Sequence, residues 1–66
     1  MSKRRPYRLY AYDEQGRQPA RYISSHVTFA AAERARQRKN PLWPGWALRI
    51  WEVLQLPDVG RVYRKP

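Results

Sequence analysis

Apolar and polar residues alternate most clearly near the C-terminus, over residues 46–54 and again over residues 61–63. The first segment is rich in aromatic and β-branched side chains, which favour strands. Residues 56–60 lie between the two segments and include the turn formers Pro57, Asp58 and Gly60. The pattern predicts a β-hairpin, and we expect this hairpin to nucleate a small sheet.

Residues 46–54 separate into two sets, because successive strand side chains point to opposite faces of a sheet. The set predicted to face the core is Trp46, Leu48 and Ile50, and the outer set is Ala47, Arg49, Trp51 and Val53. Glu52 conflicts with this division, since a carboxylate falls on the core side. A bulge, or a strand that ends near Trp51, would remove the conflict. A wrong register would instead exchange the two faces.

Residues 7–12 show the same alternation and predict another strand. Its core-facing set is Tyr7, Leu9 and Ala11, and its outer set is Arg8, Tyr10 and Tyr12. A turn is expected over residues 13–16, where Gly16 can adopt a positive φ and the acidic residues Asp13 and Glu14 are expected only to solvate the tip. Residues 21–23 predict a short strand that returns beside the first.

A single helix is predicted between about Thr28 and Asn40. Thr28 is the expected N-cap, because a run of good helix formers follows it, and Pro41 prevents continuation beyond Asn40. The small side chains Ala31, Ala32 and Ala35 share one face, which lets the helix lie close to a sheet. Arg34 and Arg38 share a flank, and this flank is interpreted either as a solvated surface or as a basic recognition surface.

These elements predict an α+β protein in which one helix packs on one face of a small, mainly antiparallel sheet of three to four strands, in the order β-(β)-α-β-β. Residues 41–45 form a rigid connection whose Trp43 is expected to cover the edge of the core. We expect a basic flexible tail over residues 1–5 and a single domain over residues 6–66. Because one helix covers only one side of the sheet, the other side must face water or a partner.

The net charge of +9 on 66 residues favours an anionic partner: nucleic acid, an anionic membrane surface or an acidic protein. The basic residues are mostly arginine, which suits bidentate phosphate contacts, although a genome rich in G and C would also raise the arginine count. The sequence contains no apolar run of about 20 residues, and residues 1–5 are not followed by the apolar run of a signal peptide. We therefore expect a cytoplasmic protein. A homodimer stays open, because so short a chain buries only about 60% of its unfolded surface.

Catalytic and metal-binding chemistry finds little support in the residues. There is no cysteine, His26 is the only histidine, and the five carboxylates are scattered. Ser24 and Ser25 lack a nucleophile motif. We expect neither an enzyme nor a bound cofactor or metal.

The outer sheet face carries the functional prediction. Its candidate binding residues, with those of the basic tail, are Arg8, Tyr10, Tyr12, Arg49, Trp51, Arg61, Tyr63, Lys3, Arg4 and Arg5. Exposed rings can stack on nucleobases while arginines contact phosphates, so the leading hypothesis is a small DNA- or RNA-binding module. The alternative is an adaptor or inhibitor, such as a phage or mobile-element accessory protein, that binds an acidic protein surface.

Overall fold

The structure, a computed structural model, describes residues 4–66 and shows four strands and one α-helix. In chain order these are β1 (Tyr7–Asp13), β2 (Arg21–His26), α1 (Phe29–Lys39), a 3₁₀ turn (Asn40–Leu42), β3 (Trp46–Leu56) and β4 (Gly60–Arg64). The candidate residue Lys3 lies outside the described part of the chain. The predicted hairpin is confirmed as β3 and β4, and the short returning strand is confirmed as β2.

The sheet has the strand order β2-β1-β3-β4, and every neighbouring pair is antiparallel. The strands β2 and β3 consequently run parallel to each other on either side of β1, and α1 connects them by crossing over β1. The helix packs against β1, β2 and β3 on one face. This arrangement confirms the predicted α+β class, with four strands and the helix on a single side.

Local signals set both ends of α1. The Thr28 hydroxyl oxygen accepts a hydrogen bond from the Ala31 backbone N–H at 3.2 Å, which confirms Thr28 as the N-cap. At the other end the Asn40 backbone N–H donates to the Arg36 carbonyl, and Pro41 then stands in the first turn of the 3₁₀ segment. The helix ends where Pro41 prevents its continuation.

The core lies between α1 and the two central strands. Its buried residues are Leu9, Ala11, Ala32, Ala35, Leu48 and Ile50. Because Ala32 and Ala35 have no exposed surface, the helix backbone lies close to the sheet. Trp43 and Trp46 pack edge-to-face against each other beside this core, with ring centroids 5.5 Å apart, which confirms the position expected for Trp43.

Neither explanation expected for Glu52 is correct. β3 continues to Leu56, and its pairing with β1 and β4 runs without a register shift. Glu52 does lie on the helix side of the sheet, but beyond the buried core, and its carboxylate accepts a hydrogen bond from Arg64 Nε at 2.8 Å. The directly opposite Arg64 on β4 therefore compensates the charge of Glu52.

A bulge is present in β2 instead. The register shifts between Leu9 and Tyr10, so that Ser24 lies opposite Leu9 and Tyr22 lies opposite Tyr10. Ile23 is the extra residue, and it packs against the core. The bulge turns Tyr22 towards the face that the helix leaves uncovered, since opposite residues in a sheet share a face.

Candidate functional site

The sheet face opposite α1, here called the outer face, collects the predicted strand residues. Cross-strand pairing places Arg8 beside Trp51, Tyr10 beside Arg49, Val53 beside Tyr63 and Gln55 beside Arg61. The neighbours of these residues along β1 and β3, Leu9 and Ile50, point into the core. The division of both strands into two faces is therefore confirmed.

Contacts between side chains fix the rings of the outer face. The Trp51 Nε1–H donates a hydrogen bond to the Tyr12 hydroxyl at 2.6 Å. Tyr10 and Tyr22 pack edge-to-face with their centroids 5.7 Å apart. Tyr22 and Tyr63 remain 55% and 44% exposed, so two of the rings present large accessible surfaces.

Four of the rings surround a shallow cavity, here called the aromatic cup. The cup is lined by Tyr10, Tyr12, Ala20, Trp51 and Tyr63 and has a volume of about 330 Å³. Nearly all of the accessible lining of the cup is apolar, although the protein as a whole is strongly basic. Its residues come from β1, β3, β4 and the β1–β2 loop, so only the folded sheet assembles it.

A second cavity on the outer face, here called the arginine cup, is polar. It is lined by Arg5, Arg8, Tyr10, Tyr22 and Ser25 and has a volume of about 580 Å³. Arg5 precedes β1, and the next residue is anchored to the sheet because the Pro6 carbonyl accepts a hydrogen bond from the Val53 N–H at 2.7 Å. Arg5 of the predicted tail thus lines the same cavity as Arg8.

The remaining predicted arginines lie outside both cups. Arg4 and Arg61 line a groove along β3 that also contains Glu52. Arg49 is exposed on β3 and lines a cavity together with Phe29 and Lys65. These three arginines add positive charge to the sheet outside the two cups.

The charged groups of the outer face interact with its tyrosine hydroxyls. The nearby guanidinium of Arg61 lowers the pKa of Tyr63 below its ordinary value, and Tyr10 and the charge of Arg8 act in the same direction. The nearby hydroxyl of Tyr10 raises the pKa of Arg8. The guanidinium groups thus lie next to the rings rather than apart from them.

No carboxylate occupies a strand position on the outer face in the described part of the chain. Glu33 pairs with Arg36 on the helix, and Glu52 pairs with Arg64 on the opposite side of the sheet. The others lie in or beside turns: Asp13, Glu14 and Asp58. The strand positions of the outer face therefore combine exposed rings and cations, while Glu52 shares the groove along β3 with Arg4, Arg8 and Arg61.

Asp13 does more than solvate the turn, contrary to our expectation. Its two carboxylate oxygens accept hydrogen bonds from the backbone N–H groups of Gln15, Arg17 and Gln18 at 3.0–3.1 Å. These bonds organise the loop that carries Ala20 to the aromatic cup.

Three residues of the two cups were missed from the sequence: Ala20, Tyr22 and Ser25. In a regular strand Tyr22 and Ser24 would share a face of the sheet, whereas the bulge puts Tyr22 and Ser25 on the same face. The sequence contains one indication: Tyr22 and Ile23 are adjacent bulky residues, so in a strand one of them faces the core and the other is exposed. This indicates that β2 could expose a ring, but it does not indicate which residues of other strands lie beside that ring.

His26 has a hydrogen-bond partner in Ser24. Its Nε2 lies 2.8 Å from the Ser24 hydroxyl oxygen. Burial lowers the pKa of His26, and the charges of Lys39, Arg5 and Arg38 lower it further.

Comparison of the chain with protein families, with curated proteins and with solved structures gave no match. Within residues 4–66, no cluster of three or more histidine, cysteine or acidic side chains is arranged to hold a metal ion. In the same part of the chain no helix is long and apolar enough to cross a membrane. The outer face is thus the candidate site on the strength of its geometry.

Proposed function

We propose that this protein is a small nucleic-acid-binding module that contacts its ligand with the outer face of its sheet. The observation that carries the proposal is the composition of this face, where exposed rings and arginines lie together and carboxylates are absent from all described strands on that side. Nucleic acid matches both kinds of side chain, because its flat bases can stack on the rings and its regularly spaced phosphates can pair with the arginines.

Two interactions support the proposal. Base–aromatic stacking contributes about 1–3 kcal/mol per base in single-strand binding proteins, and it tolerates any sequence. Arginines next to the rings contact phosphates and add binding free energy that falls with salt. The net charge of +9 raises the local concentration of any polyanion.

An acidic protein surface is the competing ligand, since tyrosine, tryptophan and arginine are also enriched at protein interfaces. The apolar lining of the aromatic cup suits the flat face of a base, which stacks on aromatic rings. Capture of partners from lysate with and without nuclease separates the two ligands. Under the proposal the nuclease removes the captured material, whereas a protein partner remains bound after this treatment.

The direct test is the binding of fluorescent DNA and RNA oligonucleotides between about 50 and 200 mM salt. Arg8→Gln with Arg61→Gln should weaken binding and flatten its salt dependence, because two phosphate contacts are lost. The matched control is Arg34→Gln with Arg38→Gln, which removes the same charge from the helix flank. Equal losses in the two variants would show that only overall charge matters. No binding to any oligonucleotide at about 50 mM salt would contradict the proposal.

A further inference from the structure

The two cups of the outer face adjoin each other, because Tyr10 lines both. We propose that they form one site for a nucleotide of a single strand, with the unpaired base in the aromatic cup and the phosphate in the arginine cup. This inference rests on the proposed function and adds the ligand class, a single strand that presents an unpaired base.

The arrangement of the cups follows the chemistry of a nucleotide. On one side of Tyr10 lie the rings of Tyr12, Trp51 and Tyr63, which offer an apolar surface to a base. On the other side lie Arg5 and Arg8 with the hydroxyl of Ser25, which offer donors to a phosphate. Tyr10 itself is held by its edge-to-face contact with Tyr22. The boundary between the apolar and the cationic surface is therefore a fixed ring.

A paired base does not suit the aromatic cup. In a duplex each base is covered by its neighbours above and below, and its edge is occupied by the opposite strand. A duplex base reaches a pocket only by extrusion, which costs the free energy of unpairing and unstacking that base. A single strand presents its bases without this cost, and single strands should bind more tightly than duplexes.

A cationic ligand is also disfavoured. Clusters of aromatic rings can bind quaternary ammonium groups through their π faces. Here the guanidinium of Arg8 interacts with Tyr10, and that of Arg61 interacts with Tyr63. Positive charge at the rim of the cup repels a cation and attracts a flat group that is attached to an anion.

The test compares three forms of one short oligonucleotide at constant salt with the wild-type protein: the intact single strand, the same strand with abasic residues, and its duplex. The abasic strand keeps every phosphate but has no base to stack. We expect it to bind about 5- to 150-fold more weakly for each stacked base lost, and we expect the duplex to bind more weakly than the intact strand. We expect this order of affinities with at least one of the two nucleic acids, DNA or RNA.

Two variants test which cup binds the base and which cup binds the phosphate. Tyr63→Leu keeps an apolar side chain but removes a flat ring, so it should reduce the difference between intact and abasic strands. Arg8→Gln should weaken the binding of both strands by the same factor and reduce the log–log salt slope by about 0.7. Circular dichroism spectra of both variants verify folding, and the abasic comparison requires no variant.

The outcomes separate this inference from the proposed function. Intact and abasic strands that bind equally, or a duplex that binds as tightly as the single strand, would overturn the two-cup site while leaving nucleic-acid binding in place. Failure of all three forms to bind would overturn both.

Discussion

The indole Nε1–H of Trp51 donates a hydrogen bond to the Tyr12 hydroxyl at 2.6 Å, although 39 residues separate the two in sequence. The residues are not directly opposite, since Tyr12 pairs with Ala47 and Trp51 pairs with Arg8. Their long side chains meet along the outer face instead. One contact thus connects β1 to β3 and fixes two rings of the aromatic cup.

We expect this hydrogen bond to contribute measurably to stability, and a double-mutant cycle isolates its contribution. Trp51→Phe and Tyr12→Phe should each lower the free energy of unfolding, with a coupling energy of about 0.5–1.5 kcal/mol between them. Urea denaturation of the four proteins measures it. Effects that add to within about 0.3 kcal/mol would show that the bond contributes nothing.

Stacking and charge should separate at Trp51 and Arg49. Trp51→Ala should lower the affinity for single strands by about 1–3 kcal/mol and leave the salt slope nearly unchanged, because a ring is lost but no charge. Arg49→Ala should flatten the slope, because each phosphate contact contributes about −0.7 on a single strand and about −0.9 on duplex DNA. Titrations at several salt concentrations measure both. A lower melting temperature with unchanged affinity of the folded fraction would indicate that Trp51 only packs the sheet.

The fluorescence of Trp51 should report ligand binding directly. With Trp43 and Trp46 changed to phenylalanine, Trp51 is the remaining tryptophan. We expect a single-stranded oligonucleotide to quench its emission, because a base stacks in the aromatic cup. An emission spectrum that shifts with an acidic protein but not with nucleic acid would support the adaptor hypothesis instead.

The alanine face of α1 should tolerate no larger side chain. Ala32→Leu inserts three carbon atoms where the side chain has no exposed surface, so it should lower the free energy of unfolding by about 1–3 kcal/mol. Ala30→Leu is the matched control on the exposed side of the same helix, where about ±0.5 kcal/mol is expected. Equal effects in urea denaturation would contradict the close packing of the helix.

Truncation of the core should unfold much of the population. Leu48→Ala or Ile50→Ala should each cost about 2–5 kcal/mol, because both side chains are buried between the sheet and α1. Total stabilities of small domains are only about 0.05–0.15 kcal/mol per residue, so this loss is a large fraction of the whole. A loss below about 1 kcal/mol at both positions would place them outside the core.

Stability should fall between neutral and mildly acidic pH because of His26. Its folded-state pKa is lowered from the model-compound value of 6.5, first by burial and then by the charges of Lys39, Arg5 and Arg38. At a pH above the pKa of His26 in the unfolded chain, His26 is neutral in both the folded and the unfolded state, and the protein has its full stability. As the pH falls below it, the unfolded chain binds the proton first, so stability declines until the folded protein also protonates.

Unfolding free energies at about pH 7.5 and pH 5.5 test this expectation, since carboxylates with ordinary pKa values near 4 stay largely ionised over that range. His26→Gln keeps a polar side chain beside Ser24 without titrating. Its stability should change less with pH than that of the wild type. An identical decline in both proteins would assign the pH dependence to other groups.

The sequence by itself determined the elements whose physics is local. A period of two separated β1 and β3 into core and outer faces, because it depends only on the alternation of side chains along each strand. Thr28 and Pro41 set the limits of α1, because a cap and a helix breaker act within one turn. The rings and arginines contributed by β1, β3 and β4 to the outer face followed from this alternation.

The tertiary structure alone decided which of these groups meet. The bulge opposite Leu9 and Tyr10 brings Tyr22 and Ser25 to the outer face, and the Pro6 carbonyl anchors the chain next to Arg5. Strand order, the bulge position and the pairing of Glu52 with Arg64 depend on which strands become neighbours. This choice minimises the free energy of the whole sheet and its helix, so no local pattern determines it.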